Sequence, residues 1–138
     1  MRIWIPAIAA VVSIAACAPA PDSGTTPGAS DAGRCFFADR IANFTVDGRT
    51  TIYLRSQRGD VYELNAPGGC PDVDFASALS ITPVLPGGGG LQRICVGEQA
   101  RVQPLNFSSS PGAPVCRFDV ARVLTQDEAA ALPDRVRP

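Results

Sequence analysis

Five cysteines, thirteen acidic residues, twelve arginines and no histidine or lysine set the chemistry open to this 138-residue chain. Cys17 stands apart from the other cysteines. It closes Ile14-Ala15-Ala16-Cys17 after an uncharged stretch, 3–16, led by the single charge of Arg2. A positive start, a short apolar region and small residues before a cut describe an export signal. A cysteine directly after the cut is the lipidation site of a lipobox. A membrane-spanning helix needs about 20 consecutive apolar residues, and this stretch is shorter and interrupted by Pro6. An ordinary cut near Ala18-Pro19-Ala20 is the plainer alternative, but it would leave an odd thiol in an exported chain.

The remaining cysteines, Cys35, Cys70, Cys95 and Cys116, are even in number, and oxidising compartments form and keep disulfides. Two bridges are therefore expected. Four thiolates can also bind zinc, but structural zinc sites use close pairs such as C-x-x-C, and the shortest separations here are 21 and 25 residues. The same spacing removes the redox motif. Four cysteines allow three connectivities. The nested one, Cys35 with Cys116 and Cys70 with Cys95, is preferred because it would tie the opening strand to the closing one and pin the middle. Loop closure makes each bridge worth about 3–5 kcal/mol.

Without histidine, the commonest general base and metal ligand are missing, and no nucleophile elbow or cofactor motif is present. No catalytic residue, metal or cofactor is assigned. Asp72 and Asp74 beside Cys70-Pro71 could bind calcium, but that ion wants six to eight oxygens; they read better as acids at a helix start. Glu63, Glu98 and the aspartates are the only material for a carboxylate-dependent hydrolase of cell-wall or glycan substrate. Tyr53, Arg55, Arg58 and Tyr62 fall on neighbouring strands and their turn. On one exposed face they would form a recognition patch for glycan, peptide or protein, by stacking and forked hydrogen bonds; an ordinary cross-strand pair is the alternative. Without Arg2 the chain carries eleven arginines against thirteen acids. That balance, with no basic run, argues against nucleic acid. Asn43-Phe44-Thr45 and Asn106-Phe107-Ser108 fit the glycosylation pattern incidentally.

The elements that must position these residues divide the chain in three: a signal peptide over 1–16, the acylated cysteine and a disordered tether over 17–33, and a single β-rich domain over 34–138. The tether is Ala, Pro, Ser, Thr and Gly with two aspartates and no large apolar side chain, so it cannot build a core. Its reach is roughly 20–25 Å. Within the domain, 35–46 reads as a strand with a bulge near Ala42-Asn43. Asp47-Gly48 signals a hairpin, and 50–56 alternates Ile52 and Leu54 against Thr51, Tyr53 and Arg55. Gln57-Arg58-Gly59-Asp60 turns the chain into 61–64, completing a three-strand meander.

Further along, 72–79 is expected to be a short helix with an acidic first turn, followed by a strand at 80–84. Pro86 and four glycines make a loop, not a phosphate cradle, since no Lys-Ser or Lys-Thr follows. A hairpin around Gly97-Glu98 is expected to join 91–96 to 100–105, and a proline-containing loop covers 106–114. The last strand, 115–124, alternates Cys116, Phe118 and Val120 against Val115, Arg117 and Asp119. Thr125 and Glu128 form a capping box for a short helix through Leu132, stopped by Pro133. Six or seven short strands with regular turn signals predict a mostly β domain: a small antiparallel β-sandwich or barrel with one or two short helices, stapled by two disulfides.

The order Cys35-Phe36, Ile41, Phe44, Asp47, Thr51 to Leu54, Tyr62-Glu63-Leu64, Cys70-Pro71, Ile94-Cys95-Val96-Gly97-Glu98, Cys116-Arg117 and Leu124-Thr125 resembles a family of uncharacterised alphaproteobacterial lipoproteins, a domain of unknown function. The likeness covers nearly all of 34–132 and implies an exported β domain without contributing a catalytic residue. Ala18, not aspartate, after the cysteine resembles lipoproteins sorted to the outer membrane. The expectation is an envelope lipoprotein facing the periplasm, a non-enzymatic binding or structural module. It would meet the membrane through its lipid and an envelope protein or glycan through the domain. An inhibitor of an exported enzyme, using a rigid loop at 86–91 or 106–114, is a further alternative.

Overall fold

A computed structural model describes residues 34–84, 92–105 and 114–138. Expectations placed on Cys17, on 1–33 and on the loops 85–91 and 106–113 lie outside the described residues.

The described residues of the domain form eight strands, β1 (Cys35–Phe37), β2 (Ile41–Asp47), β3 (Thr51–Ser56), β4 (Val61–Asn65), β5 (Ala78–Pro83), β6 (Arg93–Cys95), β7 (Gln99–Leu105) and β8 (Cys116–Leu124), followed by one α-helix, α1 (Gln126–Ala131). Six strands form one antiparallel sheet in the order β2-β3-β4-β8-β7-β5, while β1 and β6 make a separate antiparallel ribbon. The sheet curls into a half-barrel. It is a mostly β fold stapled by two disulfides, as expected from turn spacing and alternation.

The meander forms where turn chemistry and alternation agree. Gly48, at φ 64°, turns β2 into β3, and Gly59, at φ 93°, turns β3 into β4, positions where a Cβ would be strained. Strand β3 alternates with Ile52, Leu54 and Ser56 buried and Thr51, Tyr53 and Arg55 half-buried on the outer face. The register between β2 and β3 slips between Ile41 and Asn43, the bulge expected at Ala42-Asn43. Ile52, Leu54, Tyr62, Leu64, Val102, Phe118 and Val120 line the inner face, and Phe36 and Ile94 from the β1–β6 ribbon cover them. Phe36 meets Tyr62 with ring centroids 5.0 Å apart. Each such side chain removed from water stabilises the fold by roughly 1.5–3 kcal/mol.

A second register slip opens the outer face. Glu63 pairs with Arg122 but Leu64 pairs with Val120, so Ala121 is an extra residue in β8. Below it Cys116, Phe118 and Val120 point inward; above it the parity reverses, so Val123 joins the core while Leu124 faces outward opposite Val61. Val61 and Leu124 are nonetheless buried, as is Val136, and all three lie outside the main core cluster. The C-terminal segment lies against this part of the sheet: Thr45 Oγ1 donates to the Val136 carbonyl.

Three expectations are corrected. The disulfides are Cys35–Cys95 and Cys70–Cys116, with Cα separations of 3.9 and 5.6 Å, not the nested Cys35–Cys116 and Cys70–Cys95. The reason is strand pairing: β1 pairs with β6, which sets Cys35 directly opposite Cys95. Cys116 opens β8 facing the core, opposite Val102, where the fully buried Cys70 meets it. The hairpin around Gly97-Glu98 is not formed either, because β6 belongs to the ribbon and β7 to the main sheet. The helix expected over 72–79 shrinks to a 3₁₀ turn, Val73–Phe75. Asp72 enters it at φ 62°, and from Ala78 the backbone pairs with β7 instead. Val73, fully buried, is the residue that turn contributes to the core.

Candidate functional site: an arginine-lined cleft

The four residues expected to form a patch do not share a face. On antiparallel strands, residues directly opposite point to the same side; Tyr62 lies opposite Leu54, whereas Tyr53 lies opposite Glu63. Tyr62 is therefore buried in the core, where its hydroxyl donates to the Cys35 carbonyl at 3.1 Å. Tyr53 stays on the outer face, half-buried. Burial, with Glu63 and Asp47 nearby, raises its phenol above the ordinary value and keeps it protonated.

Arg55 and Arg58, by contrast, are brought together. Both line a cleft of about 540 Å³ bounded by the β3–β4 turn on one side and α1 on the other. Arg34, where the described domain begins, and Arg137, near its end, complete the wall, over a floor that includes Val61 and Leu124. Among the described residues Asp60 is the single carboxylate lining it. Arg34 donates to Asp60 at 2.8 Å. Arg137 pairs with Asp134 at 3.0 Å and donates to the carbonyls of Ala130 and Leu132 at 2.8 and 2.7 Å. Among the described residues no carboxylate lies within ion-pairing distance of Arg55 or Arg58. Four guanidiniums against one carboxylate, in a chain of net charge −1, make this cleft a local concentration of positive charge. Such donors suit anions, since a guanidinium presents a rigid fork of donors matched to carboxylate or phosphate oxygens.

A second cleft, of about 290 Å³, adjoins it and shares Arg58 and Asp60. Phe36, Phe37 and Tyr62 give it an apolar character, and the Arg40 guanidinium sits 5.4 Å from the Phe37 ring centroid. Ser56 also lines this cleft, and among the described residues its buried Oγ has no hydrogen-bond partner. A buried hydroxyl left unpaired carries a desolvation cost.

The C-terminal wall is held by a three-residue network. Arg122 donates to Glu63 at 3.0 Å and to Glu128 at 2.5 Å, linking β4, β8 and α1. The expected capping box is present: the Thr125 amide donates to Glu128 at 2.8 Å and the Glu128 amide donates to Thr125 Oγ1 at 3.2 Å. The Thr125 amide, then Arg122, then the Thr125 hydroxyl hold the Glu128 carboxyl down at about 2. Glu63, weighed as a catalytic acid, is thus a structural partner that also accepts from Asn65 at 3.2 Å. Glu98 accepts from the Cys95 amide at 2.8 Å within its own turn. Asp74 faces Arg49 at 3.9 Å, and Asp72 occupies the left-handed position described above.

Sequence reasoning named Arg55 and Arg58 but missed Arg34, Arg137 and Asp60. The turn carried a usable signal: five residues from Ser56 to Asp60, closed by the Ser56 amide donating to the Asp60 carbonyl, set the register that sends Tyr62 inward. No local pattern could have brought Arg34 and Arg137 to that turn. Elsewhere on the sheet Arg101 and Arg117 sit directly opposite one another, a second pair of cations but without the walls of a four-arginine cleft.

Fold and site together define a small disulfide-crosslinked antiparallel β module with an arginine-lined cleft at the seam between its β3–β4 hairpin and its C-terminal helix. The family model described as "Family of unknown function (DUF6491)" matches residues 1–137, and the chain belongs to that family. No curated protein and no solved structure matches it.

Proposed function

We propose that the protein is an exported, lipid-anchored module of the bacterial cell envelope, a lipoprotein of the alphaproteobacterial kind, that binds a partner and performs no reaction on it. The observation that carries this reading is the closure of Cys35–Cys95 and Cys70–Cys116. It uses every cysteine of the domain and leaves Cys17 the single remaining thiol of the chain. Disulfides persist in oxidising compartments such as the periplasm, the destination to which a lipobox directs a chain. One acyl chain anchors marginally, whereas two or three hold firmly, so Cys17 fixes the molecule to a membrane while the domain faces the periplasm at the end of its tether. The binding role follows from the cleft, whose donors are guanidiniums that hold anions and do not relay protons at neutral pH. Against the hydrolase, Glu63 accepts from Arg122 and Glu98 accepts from the Cys95 amide, so both glutamates weighed as catalytic acids serve as structural partners.

Metabolic labelling with an alkyne fatty acid tests the anchor. The unaltered chain incorporates the label and the Cys17→Ser chain does not; label in the variant, or none in the unaltered chain, refutes it.

A further inference from the structure

We propose that the arginine-lined cleft takes the phosphate of an anionic phospholipid headgroup. The lipid source rests on the membrane anchoring proposed above; the anion chemistry does not. Of the four guanidiniums lining the cleft, two are already committed: Arg34 to Asp60, and Arg137 to Asp134 and two backbone carbonyls. They brace the walls. Arg55 and Arg58 face the same space, and among the described residues no carboxylate lies within ion-pairing distance of either; Arg58 borders both clefts.

Two further observations select an amphiphile over a soluble anion. The adjoining cleft presents the part-exposed Phe37 next to the charged one, with Phe36 and Tyr62 buried in its wall, an apolar contact suited to a glycerol backbone and its first methylenes. Arg34, the residue through which the chain passes from 17–33 into the domain, is itself part of the cleft wall. The cleft therefore sits at the root of the segment that leads to Cys17. A segment of that length limits the domain to roughly 20–25 Å from its anchor, so the cleft can meet the headgroups directly, as it must, because the surface potential of an anionic leaflet falls off over a Debye length of about 10 Å. Two arginines near such a surface contribute roughly fivefold each to affinity, about thirtyfold together.

The test uses the full chain as the cell processes it, purified in uncharged detergent with its arginines labelled with nitrogen-15. Monomeric short-chain phosphatidylglycerol, short-chain phosphatidylcholine, glycerol 3-phosphate and an oligoglutamate are titrated separately and followed through the arginine Nε–H resonances. Phosphatidylglycerol should shift Arg55 and Arg58 but not Arg101 and Arg117. The R55Q/R58Q chain should bind it about thirtyfold more weakly, and the R101Q/R117Q chain should bind normally. Thermal melts of both variants check that each remains folded. An equal loss in R101Q/R117Q would mean general charge attraction and overturn the site. Equal binding of phosphatidylcholine overturns the anionic requirement. Glycerol 3-phosphate bound as tightly as the lipid assigns the cleft to soluble phosphate esters, and tighter binding of oligoglutamate assigns it to an acidic protein; either overturns the lipid. The intact mass of the same sample reports acylation separately. An unacylated chain that still binds phosphatidylglycerol defeats only the anchor, and an acylated chain that does not bind it defeats only this inference.

Discussion

Replacing Cys35 and Cys95 together by alanine removes the bridge that holds the β1–β6 ribbon over the core. Alanine is the right replacement because Cys95 is buried and a serine hydroxyl there would need a partner. The bridge closes a loop with a sequence separation of 60, and the chain-entropy relation puts its loss at about 4 kcal/mol. The bridge that remains does not absorb that loss. The two are interleaved along the chain, so the path from Cys35 through Cys70–Cys116 back to Cys95 is nearly as long as the direct loop. In a nested arrangement the inner bridge would have shortened the outer loop considerably. Small domains are stable by about 5–15 kcal/mol, so the change is a large share of the total. At roughly 4–8 °C per kcal/mol it lowers the melting temperature by about 15–30 °C. Urea unfolding followed by circular dichroism is the assay. The midpoint should fall by about 2 M, taking a denaturant slope in the middle of the usual 1–3 kcal/mol/M range. The slope itself should rise, because an unfolded chain with one bridge exposes more surface than one with two. A midpoint that moves by less than about 0.5 M would refute the loop argument. Peptide mapping of the unreduced protein gives an independent check: a Cys35–Cys116 peptide would refute the pairing of β1 with β6.

Ser56→Ala should stabilise the domain by about 1 kcal/mol, because it removes a buried hydroxyl that has no partner among the described residues at the end of β3; a lower melting temperature would mean that the Oγ is satisfied after all. The Glu128 carboxyl, held at about 2 against an unfolded value near 4.5, contributes stability that is present above pH 4.5 and lost as the pH falls from there through about 2. Protection of the Ala129 amide, whose N–H donates to the Thr125 carbonyl, relative to the exchange rate of an unstructured amide at the same pH, should fall across that window. In the Glu128→Gln chain that protection should be lower already at neutral pH and constant through the window; identical profiles would remove Glu128 from the docking of α1.

Short-range chemistry was legible in the chain. The turns at Gly48 and Gly59, the bulge at Ala42-Asn43, the alternation of β3 and the Thr125–Glu128 box each depend on residues a few positions apart, and turn geometry, pleat parity and capping act at that range. The number of strands and the even cysteine count likewise led to a mostly β, doubly bridged domain. Where local preference met long-range pairing, pairing won. The acidic turn at 72–79 starts like a helix, but the hydrogen bonds that β7 offers from Ala78 onward exceed those of an isolated turn.

Tertiary structure alone decided the rest. Which cysteine meets which follows from β1 lying beside β6 and not beside the last strand, a choice between sheet partners far apart in the chain. The extra residue Ala121 reverses the parity of β8 and turns Leu124 toward the cleft, and a one-residue slip of that kind leaves no compositional trace. Tyr62 and Tyr53 look equivalent in the sequence; register buried one and left the other on the outer face. The cleft itself joins Arg34, Arg55, Arg58 and Arg137 from opposite ends of the domain. Its charge is a property of no segment, because it arises only when the β3–β4 hairpin and the C-terminal helix close on the same side of the sheet.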